Sequence, residues 1–198
     1  LTAGNLNYAL SSYENVVVNR YALVFTKTVD VVLANEVLPF LYSNQYVNFN
    51  EDTKAVTLAK KLTEGKTELE AVQEVYEYVI KNIVYDEEKA ETVKSGYLPS
   101  VDETLKTKKG ICFDYAALMS AMLRSQRIPT KLEVGYSGDV YHAWISCYVD
   151  EIGWVDNIIE FDGKNWSIMD PTLAANNSAS DVKKYVGNGK NYVTKYTY

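Results

Sequence analysis

Gly110-Ile-Cys-Phe-Asp-Tyr-Ala-Ala-Leu-Met119 decides how the rest of the chain is read. A lysine-rich approach, Thr104-Leu-Lys-Thr-Lys-Lys-Gly110, ends at the glycine, and an apolar helical pattern starts at once and runs to about Arg124. Cys112 therefore falls where a loop turns into a helix. The first amides of a helix have no internal acceptor and carry the positive end of its dipole. A thiol held there has its thiolate stabilised and its pKa lowered, which makes a nucleophile of an ordinary cysteine. The usual fate of a free cysteine is burial as a small hydrophobe, so the rest of the chain has to supply the grounds for chemistry. Ala116, Ala117, Leu118, Met119, Ala121, Met122 and Leu123 make the helix apolar almost all round. Such a helix belongs in the centre of a domain.

Upstream, Ala55, Leu58, Ala59 and Leu62 recur at helical spacing over 53–63, with Asp52 or Thr53 as cap and Gly65 as stop. Thr67 and Glu70 have the spacing of a capping box, and Ala71, Val72, Val75, Tyr78 and Val79 form the stripe of a second helix ending near Asn82. Residues 83–100 read as loop. Residues 1–50 are taken as a separate strand-rich packing or lid segment, and 51–198 as the domain that carries the chemistry. Val and Tyr over 13–25 suggest one or two strands, and 29–42 is ambiguous between strand and short helix, broken by Pro39.

Downstream of Ile128-Pro129 the period changes to two. Lys131–Tyr136, Tyr141–Val149, Asn157–Phe161 and Asn165–Met169 read as four strands, with Asp162-Gly163 as a hairpin turn. A short helix is expected at 180–186. Helices followed by a run of antiparallel strands define an α+β domain. On the second strand His142, Trp144, Ser146 and Tyr148 share one face, and Ala143, Ile145 and Cys147 the other. If His142 belongs to a site, Cys147 belongs to the core. His142 is the single histidine, and Asp170 ends the neighbouring hairpin. A lone strand histidine or a strand-end aspartate is ordinarily structural. Together with Cys112 they form a nucleophile, a base and an orienting carboxylate, the set that thiol acyl transfer needs.

GICFDYAALMSAMLRSQRIPTKLEVGY around Cys112, YHAWISCYV around His142 and WSIMDPT around Asp170 resemble the transglutaminase-like superfamily, a branch of the papain-like cysteine enzymes. The resemblance covers roughly 55–175 and runs in the family's order, Cys, His, Asp. It implies Cys112 as nucleophile, His142 as general acid/base and Asp170 as third member. It also implies a papain-like core in which a central helix carrying the nucleophile packs on an antiparallel sheet. The short chain is similar to the compact bacterial members, many of them secreted or surface-attached, so the resemblance implies an extracellular or cell-surface location. It implies a protein or peptide substrate and no cofactor. Hydrolysis is favoured over transamidation, because nothing in the sequence builds an amine-acceptor site. The competing reading is a cell-surface binding module that keeps the fold without turnover.

Composition narrows the alternatives. A net charge of -6 speaks against a nucleic-acid footprint, and no apolar run reaches the length of a membrane span. One His and two Cys are too few for a Cys/His zinc cage, and no acidic loop resembles an EF-hand, so no metal is expected. The chain begins at Leu1, which is compatible with a removed targeting segment. A Cys112–Cys147 redox pair conflicts with the strand alternation. The backbone amide of Cys112 is one candidate oxyanion donor; Gln45, Asn82, Tyr85 and Tyr97 are candidates for the second. Asp114 reads as a helix cap. Tyr136, Tyr141 and Trp144 are candidates for substrate contact, and Trp144 and Trp166 serve equally well as core.

Overall fold

A computed structural model describes residues 6–137, 139–150, 152–161, 166–168 and 192–198. The Asp162-Gly163 turn, Asp170-Pro171-Thr172 and the expected helix at 180–186 lie outside the described residues. By contact the chain divides into two units, Thr2–Glu36 and Val37–Tyr198.

The first unit is an antiparallel hairpin of β1 (Leu6–Val17) and β2 (Arg20–Val31). Asn19 takes the left-handed conformation at its turn, with φ 61, a region asparagine tolerates better than most residues. In-register pairs line one face: Asn7 donates to Asp30, and the Ser11 and Thr26 hydroxyls meet at 2.9 Å. The strands extend well past the stretch expected from Val and Tyr content, because polar Asn, Ser and Thr pairs continue the ladder where hydrophobicity fades. Part of the ambiguous 29–42 stretch completes β2. Pro39 then opens a single 3-10 turn, Leu38–Leu41, where its missing N–H costs nothing.

In the second unit α1 (Lys54–Thr63) and α2 (Glu68–Asn82) precede a two-residue strand β3 (Val84–Tyr85), α3 (Glu87–Thr92), α4 (Val101–Thr107), a two-residue strand β4 (Lys109–Gly110) and α5 (Cys112–Ser125). Thr67 and Glu70 form the expected capping box. At α1 the cap comes from elsewhere. Thr53 holds the N-cap position, but its hydroxyl turns back to Asn50, and the Asp102 carboxylate on α4 accepts from the amides of Lys54 and Ala55. The reading of 83–100 as loop is corrected: β3 pairs in parallel with β4, and Asp86 caps α3 through the Lys89 amide. These elements are too short to show a hydrophobic period.

Helix α5 is central, with every residue from Asp114 to Arg124 buried. Fully buried Ala55 and Ala59 let α1 approach it closely, and α2 adds Val72, Val75 and Val79. Each large apolar side chain so buried is worth about 1.5–3 kcal/mol. On the other side lie β5 (Thr130–Ser137), β6 (Val140–Val149), β7 (Gly153–Phe161), β8 (Trp166–Ile168) and β9 (Tyr192–Thr197), all antiparallel, in the order β8-β7-β6-β5-β9. Strand β9 has no counterpart in the sequence reading. It approaches β5 so closely that a Cβ on Gly135 would run into the Val193 carbonyl oxygen. The irregularity between β6 and β7 puts its extra residues on β7, so β6 keeps its alternation: Ala143, Ile145, Cys147 and Val149 are core residues.

Candidate active site

The approach to Cys112 is fixed by backbone pairing. The amides of Val84 and Asp86 donate to the carbonyls of Lys108 and Gly110, at 2.8 and 3.0 Å. Asp114 then folds back over Gly110, and its Oδ2 accepts from the Ile111 amide at 2.9 Å. This leaves no room at Gly110, where a Cβ would stand 2.7 Å from the Cβ of Asp114. Tyr115 anchors the same turn by donating its hydroxyl to the Ile83 carbonyl at 2.7 Å. The spacing Gly-x-Cys-x-Asp-Tyr-Ala is thus a folding rule: a glycine under the cap, the cap itself, a tyrosine tie, and a small residue where the helix meets the sheet. Gly110→Ala should lower the unfolding free energy by about 1–3 kcal/mol, the usual cost of overpacking. A urea midpoint unchanged from wild type would contradict this.

Cys112 is partly exposed and unpaired with Cys147. Burial pushes its thiol up; the amides of Ala143, Phe113 and Cys112 itself pull it down, and the Asp114 carboxylate adds to the rise. The helix-start amides therefore act as the sequence suggests, but the expected lowering is corrected: desolvation at the mouth of a buried helix outweighs them. Cys147 is 0 % exposed, and burial pushes its thiol up to about 12.

Cys112, His142 and Tyr141 line one cleft of about 860 Å³. Its far wall is Ala90 with residues 93–98, and Gln45, Tyr46, Val134, Tyr196 and Tyr198 close the other sides. Ala143 contributes a small side chain and an amide to Cys112, so a bulkier residue after His142 would hold the helix start away. Tyr136 is not part of the wall; its ring stands against Tyr141 at 5.4 Å. Trp144 shares His142's side of β6 but is 2 % exposed and packs on Tyr192, away from the cleft. Asp170 lies outside the described residues. Of the oxyanion candidates, Gln45, Tyr85 and Tyr97 line the cleft, whereas Asn82 does not and donates to the Tyr78 carbonyl.

One group escaped the sequence reading. Lys89 on α3 donates to Asp114 Oδ2 at 2.7 Å and to the Tyr97 hydroxyl at 2.6 Å, and Tyr97 in turn donates to Asp114 Oδ1 at 2.5 Å. A lysine in a stretch taken for loop carries no signal of its own. Among the described residues, no cluster of three His, Cys, Asp or Glu could hold a metal ion.

An α+β domain with a thiol at the start of its central helix, in a cleft also lined by a strand histidine, has the architecture of a papain-like fold. The model of the transglutaminase-like superfamily matches residues 56–157, and the chain belongs to that superfamily. The match includes Cys112 and His142 and stops before Asp170. Over 117 residues the chain is 33 % identical to a UPF0252 protein of Methanocaldococcus jannaschii, covering 53 % of this chain and 33 % of that protein. Over 138 residues it is 28 % identical to the uncharacterized protein YebA of Bacillus subtilis, covering 59 % and 19 %. The chain thus spans a third or less of the length of these relatives. Among solved structures, a candidate cysteine protease from Cytophaga hutchinsonii superposes with a TM-score of 0.52 at 21 % identity, covering 84 % of this chain and 48 % of that one. That likeness is one of fold. No described helix is long and apolar enough to cross a membrane.

Proposed function

We propose that the protein is a cysteine-dependent acyl-transfer enzyme that hydrolyses a peptide, isopeptide or related amide bond. The observation that carries this reading is the placement of Cys112: its thiol stands at the start of the buried central helix and shares a cleft with His142, and the amides of Ala143, Phe113 and Cys112 itself pull its pKa down. In the proposed cycle His142 takes the thiol proton, and Cys112 Sγ bonds to the carbonyl carbon. The tetrahedral intermediate then breaks its C–N bond as His142 returns the proton to the leaving amine. Water, deprotonated by His142, hydrolyses the resulting thioester. Asp170 is assigned the orienting role, and the Cys112 amide with Gln45 or Tyr85 the oxyanion. Because burial pushes the resting thiol up, His142 has to remove its proton for attack at neutral pH.

The raised thiol equally favours the non-catalytic surface module, and one measurement separates the two. Cys112 alkylation by iodoacetamide is followed from pH 4 to 10 in wild type and His142→Ala; buried Cys147 stays silent. The enzyme reading expects reactivity well below pH 8.5 that disappears in His142→Ala, leaving only the limb of a buried thiol at high pH. Superimposable profiles would favour the module. If reactivity does depend on His142, adding amines decides between hydrolysis and transamidation.

A further inference from the structure

Asp114 poses a problem for the chemistry two residues before it. The start of a helix carries roughly half a positive charge. A full carboxylate, 0 % exposed and on the first turn, would reverse that sign beside Cys112. The carboxylate cannot simply be dispensed with, since it accepts the Ile111 amide that fixes the turn. What opposes it is Lys89. The lysine is delivered by the same backbone ladder that delivers the cysteine: Asp86 donates its amide to Gly110 and caps α3 with its side chain, at 3.0 Å each. Burial alone would push the Lys89 ammonium down, but its bonds to Asp114 and Tyr97 and the carboxylate's charge more than offset this, and it stays protonated. It also lies 4.4 Å above the Tyr97 ring.

We infer that Lys89 is a positioning residue for the Cys112 nucleophile: its ammonium, paired with Asp114, offsets the carboxylate's charge, so that Asp114 opposes a thiolate at the helix start less than it would alone. The inference rests on the reading of Cys112 as a nucleophile. The titratable groups that act on the thiol or share its cleft are Asp114 on its own helix, Tyr85 on β3, Lys94 and Tyr97 on the 93–98 wall, and Tyr141 and His142 on β6. Lys89 on α3 reaches the thiol through Asp114, and it is the cation paired with that carboxylate. Tyr97 completes the arrangement. Its hydroxyl ties the cleft wall at 93–98 to the same carboxylate, so the wall and the nucleophile keep one register.

The test is the alkylation profile of Cys112 in wild type, Lys89→Met, Lys89→Arg, Asp114→Asn and the double variant Lys89→Met/Asp114→Asn, with melting curves to verify folding. Lys89→Met should move the rising limb up by about 0.5–1 pH unit, so that alkylation at pH 7 slows about three- to tenfold. Lys89→Arg should keep the wild-type profile. Removing the carboxylate as well should return the limb of the Lys89→Met protein to its wild-type position. Asp114→Asn alone leaves Lys89 uncompensated and should move the limb down, which keeps the inference testable if Lys89→Met does not fold. An unchanged limb in Lys89→Met, a double variant as slow as Lys89→Met, or an upward shift in Asp114→Asn would each overturn it. A wild-type profile that does not depend on His142 is a different failure, that of the nucleophile itself, and would remove the ground for the inference.

Discussion

Arg124→Met should lower the unfolding free energy by about 3–5 kcal/mol, read as a lower urea midpoint. Arg124 is 1 % exposed, and burial pushes its guanidinium down to about 10, which leaves it charged at neutral pH. No Asp or Glu side chain pairs with it among the described residues. Instead it donates to three backbone oxygens: Nε to Thr130, one terminal nitrogen to Tyr42 and the other to Tyr198, at 2.8, 2.8 and 2.6 Å. Methionine fills much of the volume but leaves these acceptors without their donor. Lysine should recover only part of the loss, because an ammonium cannot spread three bonds over a planar fork. The three oxygens belong to the segment before α1, to the first residue of β5 and to the residue after β9. The same segments supply Gln45, Tyr46, Val134, Tyr196 and Tyr198 to the cleft, so reactivity at Cys112 should weaken before global unfolding. A loss below 1 kcal/mol would show that water or relaxation replaces the guanidinium.

The second large effect concerns acylation. With an activated ester such as p-nitrophenyl acetate, wild type should acquire one acetyl group on Cys112, seen by intact mass, and release it with turnover. His142→Ala should acetylate about 10²–10⁴-fold more slowly, the range expected for loss of a general base. Cys112→Ala should not acetylate at all, while keeping a melting temperature close to wild type, since a partly exposed thiol at the helix start carries little of the packing. Acetylation of His142→Ala at the wild-type rate would remove the base from the mechanism. Acetylation that persists in Cys112→Ala would place the reactive group elsewhere.

Legibility in the sequence followed physical causes. Helix α5 was readable because a fully buried helix writes its burial into nearly every position. Strands β5 and β6 were readable because alternation survives when one face packs on a helix. The placement of Cys147 in the core followed from the same alternation. The Thr67–Glu70 cap is local in sequence, and was therefore visible. The cap of α1 was not, because Asp102 reaches it from 47 and 48 residues away. Lys89 and β9 were missed for a related reason: each gains its meaning from a partner distant in the chain. The thiol was misjudged because the dipole can be read from position, whereas desolvation depends on how tightly the sheet closes over the helix start. Trp144 shows the limit of face arguments: sharing a face with His142 did not bring it to the cleft.

The narrow passage at Gly135 bears on the order of events in folding. Tyr196 and Tyr198 reach the cleft only once β9 has docked against β5, a pairing between segments more than 50 residues apart, such as Ser137 with Tyr192. Closing so long a span is entropically costly and slow compared with forming α5 or the β5–β6 hairpin. During synthesis the helix that bears Cys112 can therefore be in place while one side of its cleft is still missing. The Cys112 thiol is thus kept from its complete cleft until residues 192–198 have been made and have found their edge.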